Sequence, residues 1–210
     1  MAVKSQSAEA LYRQLKNPFD PKFVKVRVGA RNKAKTKGIA LFYLDVREVR
    51  KRLTEVCGLD GWSSKTSAIV AGDKVVGATC QLLIRMPDGE WVVHEDAGES
   101  TQGSPVKGAF SDAIKRAAVN FGVGAYLYYI PNQWYEIDEY GNFLDQPQLP
   151  HWAKPSDKLE DWEAVAELEY NPDDDVDIDY MEFADGEAKE ILEQSARIKR
   201  QILEKMKKHD

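Results

Sequence analysis

The sequence predicts an α+β fold: an antiparallel three-stranded meander packed on a helix, followed by a flexible acidic C-terminal tail and a terminal helix. Three observations carry this expectation. Between Trp62 and Glu99, strand-like runs are separated by Gly72-Asp73 and by Pro87-Asp-Gly89, residue types that turn the chain tightly enough for hairpins. Ser104-Pro105 then opens a segment in which Val106, Phe110, Ala113, Ile114, Ala117 and Phe121 recur at helical spacing, with Ser104 as N-cap and proline at the first helical position. Residues 145–186 mix prolines with the run Asp173-Asp-Asp-Val-Asp-Ile-Asp179 and hold too little apolar content to fold alone.

The remaining elements follow in order. An amphipathic opening segment from about Ser7 to Lys16 breaks at Pro18 and Pro21. Phe23 to Val28 alternates apolar and basic residues, the pattern of a half-buried strand with one cationic face. A basic loop follows from Arg31 to Lys37, then Ile39–Leu44, and then a helix from Asp45 to Cys57. Asp45 is its N-cap, and Val46, Val49, Leu53 and Val56 share a face. Gly122 and Gly124 end the helix after Pro105, Ala125–Ile130 reads as a short strand, and Glu139 to Phe143 as a turn with Gly141-Asn142 at its tip. Residues 187–210 form a charged amphipathic helix with Ala188, Ile191, Ile198 and Ile202 at 3/4 spacing. The expected organisation is a binding and assembly domain over 1–144, an acidic linker over 145–186 and the helix over 187–210.

Composition narrows the function. Hydrophobic residues make up 43% and charged residues 30% of the 210, as in soluble globular proteins. No apolar run approaches the roughly 18 residues that cross a bilayer, and the N-terminus has no apolar signal-peptide core, so a cytoplasmic protein is expected. Cys57 and Cys80 form no CxxC pair, and the three histidines give no metal-ligand spacing. Both cysteines read as small buried hydrophobes. The net charge of −6 conceals a division: residues 1–131 carry 20 Lys and Arg against 13 Asp and Glu, whereas residues 132–210 carry 9 against 22. The basic portion must be weighed separately.

Within it, Lys25, Arg27, Arg31, Lys33, Lys35 and Lys37 stand in an interval with no acid. Cations at that density suit a polyanion, because each phosphate they neutralise releases condensed counterions. On the helix after Pro105, Lys115 and Arg116 face away from the apolar stripe, and Lys107 lies about 80° from Lys115 at 100° per residue. An ordinary solvated face would look the same; the basic strand and loop nearby favour a binding surface. Arg47, Arg50, Lys51 and Arg52 form a third group beside Glu48. Exposed rings among Tyr43, Trp62, Trp91, Tyr126, Tyr128, Tyr129, Trp134 and Tyr135 could stack bases, although most in such a domain belong to the core.

Three separated stretches resemble one known family. Ala40-Leu-Phe-Tyr-Leu-Asp-Val-Arg47, the helix leading to Gly58-Leu-Asp-Gly-Trp62, and Ser111-Asp-Ala-Ile-Lys-Arg-Ala-Ala-Val-Asn-Phe-Gly122 are similar to the Rad52 superfamily of single-strand annealing proteins, its phage-type recombinases above all. The likeness runs over roughly residues 8–131. It implies a β-β-β-α core, assembly into multi-subunit rings, and single-stranded DNA in a basic groove with its bases open for pairing. By position, Lys115 and Arg116 fall on the family's paired residues that grip the DNA backbone, and Lys107 on another basic position of the same helix. A further arginine of that helix is Val119 here. The arginine of the first helix aligns with Glu48, beside Arg47, and a tyrosine before Gly-Trp is Leu59.

The expected function is therefore ATP-independent binding and annealing of single-stranded DNA in homologous recombination and repair, by a homo-oligomeric ring without cofactor or catalytic centre. The candidate DNA-binding residues are Lys107, Lys115, Arg116, Arg47, Arg27, Arg31, Lys33, Lys35 and Lys37. A recombination nuclease or a host single-strand-binding protein is the candidate further partner, in the host cytoplasm if the gene is phage-borne. Two alternatives stand beside this reading: a plain single-stranded-DNA-binding protein and a metal-dependent nuclease. The nuclease would need paired carboxylates, yet Glu95 and Asp96 would point to opposite faces of a strand. No GxxxxGK[ST] segment exists to hold ATP: Ser104 and Ala109 stand where its lysine must be.

Overall fold

The computed structural model describes residues 7–99, 105–155 and 162–163, all within the unit Met1–Asn171. Helix α1 spans Ala8–Lys16, and the Ser7 hydroxyl caps it by accepting the Ala10 N–H at 3.1 Å. A 3-10 turn at Pro21–Phe23 leads into β1 (Val24–Arg31) and β2 (Lys37–Leu44). Helix α2 (Val46–Cys57) begins where the Asp45 carboxylate accepts the Arg47 N–H at 3.0 Å, so the expected N-cap is in place. The meander follows as β3 (Trp62–Ala71), β4 (Lys74–Arg85) and β5 (Trp91–Glu99), then α3 (Pro105–Val119). A last short strand, β6, covers Trp134–Glu136.

The strands form two antiparallel sheets, ordered β1-β2-β6 and β3-β4-β5. The second is the expected meander, and α3 packs on β4 and β5. On β4, Ala78, Cys80, Leu82 and Ile84 alternate toward the helix and are fully buried. From α3 they meet Ala109, Ala113 and Ala117, also fully buried. The alanines matter because the contact is made by backbone. A methyl group on Gly98 of β5 would collide with the Ala113 nitrogen and lie 2.7 Å from the Ala109 oxygen. Only glycine on the strand and small residues on the helix allow that approach. Val106 is about half exposed rather than part of the stripe: it lies in the first helical turn, ahead of the contact with Gly98.

Helix α1 is locked to α2 by one side chain. The Arg52 guanidinium donates to the carbonyls of Gln14, Leu15 and Asn17 at 3.1, 3.3 and 2.6 Å, groups left unpaired at the end of α1. The same group lies 4.0 Å from the Phe19 ring centroid, and desolvation lowers its pKa from the ordinary guanidinium value. Nearby, the Phe19 N–H donates to the buried Tyr126 hydroxyl at 3.2 Å. Burial pushes that phenol up to about 12.

Several expectations need correction. Ala125–Tyr129 is a 3-10 turn, not a strand, entered through Gly124 at φ 76°. With about 120° per residue, it separates Tyr126, which is buried, from Tyr128, which is exposed; a strand would have put both on one face. The sheet β1-β2-β6 was not anticipated, since a three-residue strand carries no readable period. Cys80 is buried, whereas Cys57 is only partly so, with its thiol pushed up to about 11 by burial. Of the segment expected as an acidic linker, Trp152, Ala153 and Trp162 pack into the core, and the Trp162 indole N–H donates to the Lys16 carbonyl at 3.1 Å. The terminal helix expected over 187–210 lies outside the described residues. No described helix is long and apolar enough to cross a membrane.

Gly98→Ala should cost about 1–3 kcal/mol of unfolding free energy in urea titration, whereas Ala97→Ser, on the opposite, exposed face, should change it by less than about 0.5 kcal/mol. Arg52→Met, which orphans three carbonyls, should cost about 2 kcal/mol. The Asp45 carboxyl is held below its usual range, first by the Arg47 N–H and further by Lys25. Its contribution is therefore present above the ordinary carboxylate pKa and is lost as pH falls through the depressed folded value. Asp45→Asn keeps a capping oxygen and should lose less stability than the native chain on acidification below about pH 4.

Candidate nucleic-acid interface

The backbone contact at Gly98 fixes α3 and so fixes its outward cations. Arg116 is exposed and its Nε–H donates to the Asp96 carboxylate of β5 at 3.2 Å, a hydrogen bond that raises the Arg116 pKa. Asp96 pairs with Cys80 in the sheet register and so lies on the helix-facing side. Lys115 is 3.5 Å from Asp112, one turn earlier on α3. Lys107 is exposed near the start of the helix and makes no ion pair among the described residues. The two central cations are therefore oriented by acids of the same chain while remaining at the surface. Such exposed pairs are worth about 0–1 kcal/mol, little enough for a phosphate to replace the carboxylate.

The second group sits on the β1–β2 hairpin. Lys25 and Arg27 are exposed and stand opposite Tyr43 and Leu41 in the register, so the cationic face read from the alternation exists. Lys25 reaches Asp45 at 3.4 Å, which brings it and the exposed Arg47 to the start of α2. At the hairpin's end the Asn32 side-chain oxygen accepts the N–H groups of Thr36 and Lys37 at 2.9 and 3.0 Å. Lys35 takes a left-handed conformation, φ 55°. This turn presents Lys33, Lys35 and Lys37 at the surface. Arg31 lies beside Gly141, where any Cβ would collide with its guanidinium, so it is set against the Glu139–Phe143 turn. In that turn the Asp138 carboxylate accepts the Asn142 N–H at 2.7 Å.

The candidate cations thus fall into two groups: Lys107, Lys115 and Arg116 on α3, and Arg27, Arg31, Lys33, Lys35 and Lys37 on the hairpin with Arg47 at its foot. Helix α2 packs against α3 at one side and meets β1 through Asp45 at the other. Of the acids weighed for a nuclease, Glu95 accepts from Gln81 at 3.0 Å on the sheet's outer face, and Asp96 turns to Arg116 on the inner one.

One residue gains weight only in the structure. Tyr128 is 67% exposed and its hydroxyl is within electrostatic reach of Arg116, Asp112 and Asp96. Its pKa is raised, first by desolvation, with the two carboxylates adding and Arg116 opposing. The other rings are spread more widely: Trp91 and Trp134 are partly exposed, and the Trp62 indole donates to the Thr54 hydroxyl at 3.1 Å.

Residues 7–140 match the family described as Rad52/22 family double-strand break repair protein. The chain is also similar to a protein of Deinococcus radiodurans named single-stranded DNA-binding protein DdrA, 34% identical over 79% of this chain and 80% of the relative. The protein of the same name from Deinococcus deserti is 35% identical over 68% of this chain and 69% of its own. With a match over residues 7–140 and relatives about one-third identical, the chain belongs to the Rad52/22 family.

Proposed function

We propose that this protein binds single-stranded DNA and anneals complementary strands without ATP, as a homo-oligomer serving recombination and repair in the cytoplasm. The observation that carries the reading is the presentation of Lys115 and Arg116, fixed at the surface by the backbone contact of α3 with β5, in a member of a repair family whose named relatives bind single-stranded DNA. Lys107, Arg47, Arg27, Arg31, Lys33, Lys35 and Lys37 extend the cationic surface. Phosphate contacts hold and neutralise the strand, so two polyanions can approach with their bases free, and the acceleration comes from positioning rather than covalent chemistry. A ring of subunits would repeat the surface along the strand; the recombination nuclease and the single-strand-binding protein are proposed further partners.

The relatives' names favour a second reading, binding without annealing. A time course with complementary oligonucleotides separates the two: the native chain should speed pairing in the absence of ATP, and protection without acceleration would leave binding alone. Lys115→Ala combined with Arg116→Ala should weaken binding in a fluorescence-anisotropy salt titration and lower the slope of log K against log salt by about 2 at most. Unchanged affinity and slope would remove both residues from the site. The acidic C-terminal region is proposed to compete with DNA for the same cations. Deleting residues 172–210, which spares the core tryptophans Trp152 and Trp162, should tighten binding at low salt.

A further inference from the structure

We propose that Tyr128 is the base-stacking residue of the DNA site, receiving one nucleobase on its exposed ring while Arg116 and Lys115 hold neighbouring phosphates. The inference rests on the single-stranded-DNA reading and adds to it a contact with the base. Three tyrosines lie in the 3-10 turn after α3, and two of them have evident work inside the protein. Tyr126 is buried and accepts the Phe19 N–H. Tyr129 meets the Trp162 ring edge-on, with centroids 5.3 Å apart. Tyr128 has neither a hydrogen bond nor a ring partner among the described residues, and it is the most exposed of the three.

Its surroundings set it apart from the molecule's other open rings. Tyr140 is still more exposed, but it lies in the turn that Arg31 abuts, with the hairpin group of cations rather than with the α3 group. Tyr128 instead lies near the cation that the α3–β5 contact holds at the surface. Base faces stack on aromatic rings with little regard to sequence, and such platforms accompany cationic tracks in proteins that bind single strands. The phenol, with an ordinary pKa of about 10, is neutral at physiological pH and adds no charge that would repel the strand. Leu59, which stands where the resemblance places a tyrosine, offers no ring although it is 87% exposed. Tyr128 provides one on a different element.

The test uses the full chain with two fluorescent probes: an oligothymidylate, and an abasic oligonucleotide with the same number of phosphates. Native protein should bind the first more tightly. Tyr128→Ala should weaken oligothymidylate binding roughly tenfold, leave the salt slope unchanged and leave abasic binding as it was, which also shows that the variant is folded. Tyr128→Phe, which keeps the ring, should behave as native, and Lys115→Ala with Arg116→Ala should weaken both probes. Equal loss on both probes in Tyr128→Ala, or no loss on either, overturns the stacking role. So does a change in sedimentation of Tyr128→Ala, which would make the ring a contact between copies of the chain. Native protein that binds neither probe removes the DNA reading itself, an outcome distinct from all of these.

Discussion

At Gly98 the backbone of β5 lies against Ala109 and Ala113 of α3 with no room for a methyl group between them. Helices usually rest on sheets through interleaved side chains. Here the separation is set by backbone contact, which leaves few ways to slide or rotate. The stripe Ala109, Ala113 and Ala117 faces fully buried β4 residues on one side. At 100° per residue Arg116 leaves the helix only about 20° from Ala109, at the edge of this stripe beside β5, and Lys115 is turned further from it, so the same contact sets where both cations emerge. The position of the cations is thus a consequence of the smallest residues in the core, and Asp96 adds a second constraint by holding Arg116 from the strand that touches the helix.

Around this unit the chain closes by polar contacts to backbone. Arg52 occupies the carbonyl end of α1, Tyr126 takes up the Phe19 N–H, and Trp162 donates to Lys16. Each satisfies a main-chain group that would otherwise be left without a partner as the helix ends. The three contacts lie between residues far apart in sequence, so they tie the opening helix to α2, to the turn after α3 and to the segment near residue 162. Arg52 shows why a run of four basic residues is not a binding patch by default: one member is spent on the fold, while Arg47 of the same run remains at the surface.

Local features of the sequence identified the local structure well. Gly72-Asp73 and Pro87-Asp-Gly89 turn the meander, Asp45 begins α2, Pro105 begins α3, and the basic alternation of Lys25 and Arg27 gives one exposed strand face. Features that depend on distant partners were hidden. Ala109 is absent from the stripe read off the spacing, and its importance appears only when Gly98 lies beneath it. The pairing of Arg116 with Asp96 spans 20 residues and no spacing rule reports it. Tyr128 was one aromatic among eight, and reading its segment as a strand placed it beside Tyr126 instead of opposite to it. The turn after α3 decides which ring is core and which is open.

Pairing surface cations with the protein's own carboxylates has a consequence for binding. A lone guanidinium on a long stem samples many rotamers and loses that freedom when it meets a phosphate. Arg116 has already given up part of it to Asp96. Exchange of one anion for another then costs less ordering, at the expense of breaking a pair that solvent has already weakened. In the proposed annealing function the carboxylates would lower affinity somewhat while fixing geometry, a balance suited to holding a strand in register and releasing it once it has found its complement. Such a balance is sensitive to ionic strength, because salt screens the internal pair and the DNA contact alike. A stacked base responds to neither, so a ring beside Arg116 would supply the part of the grip that persists as salt rises.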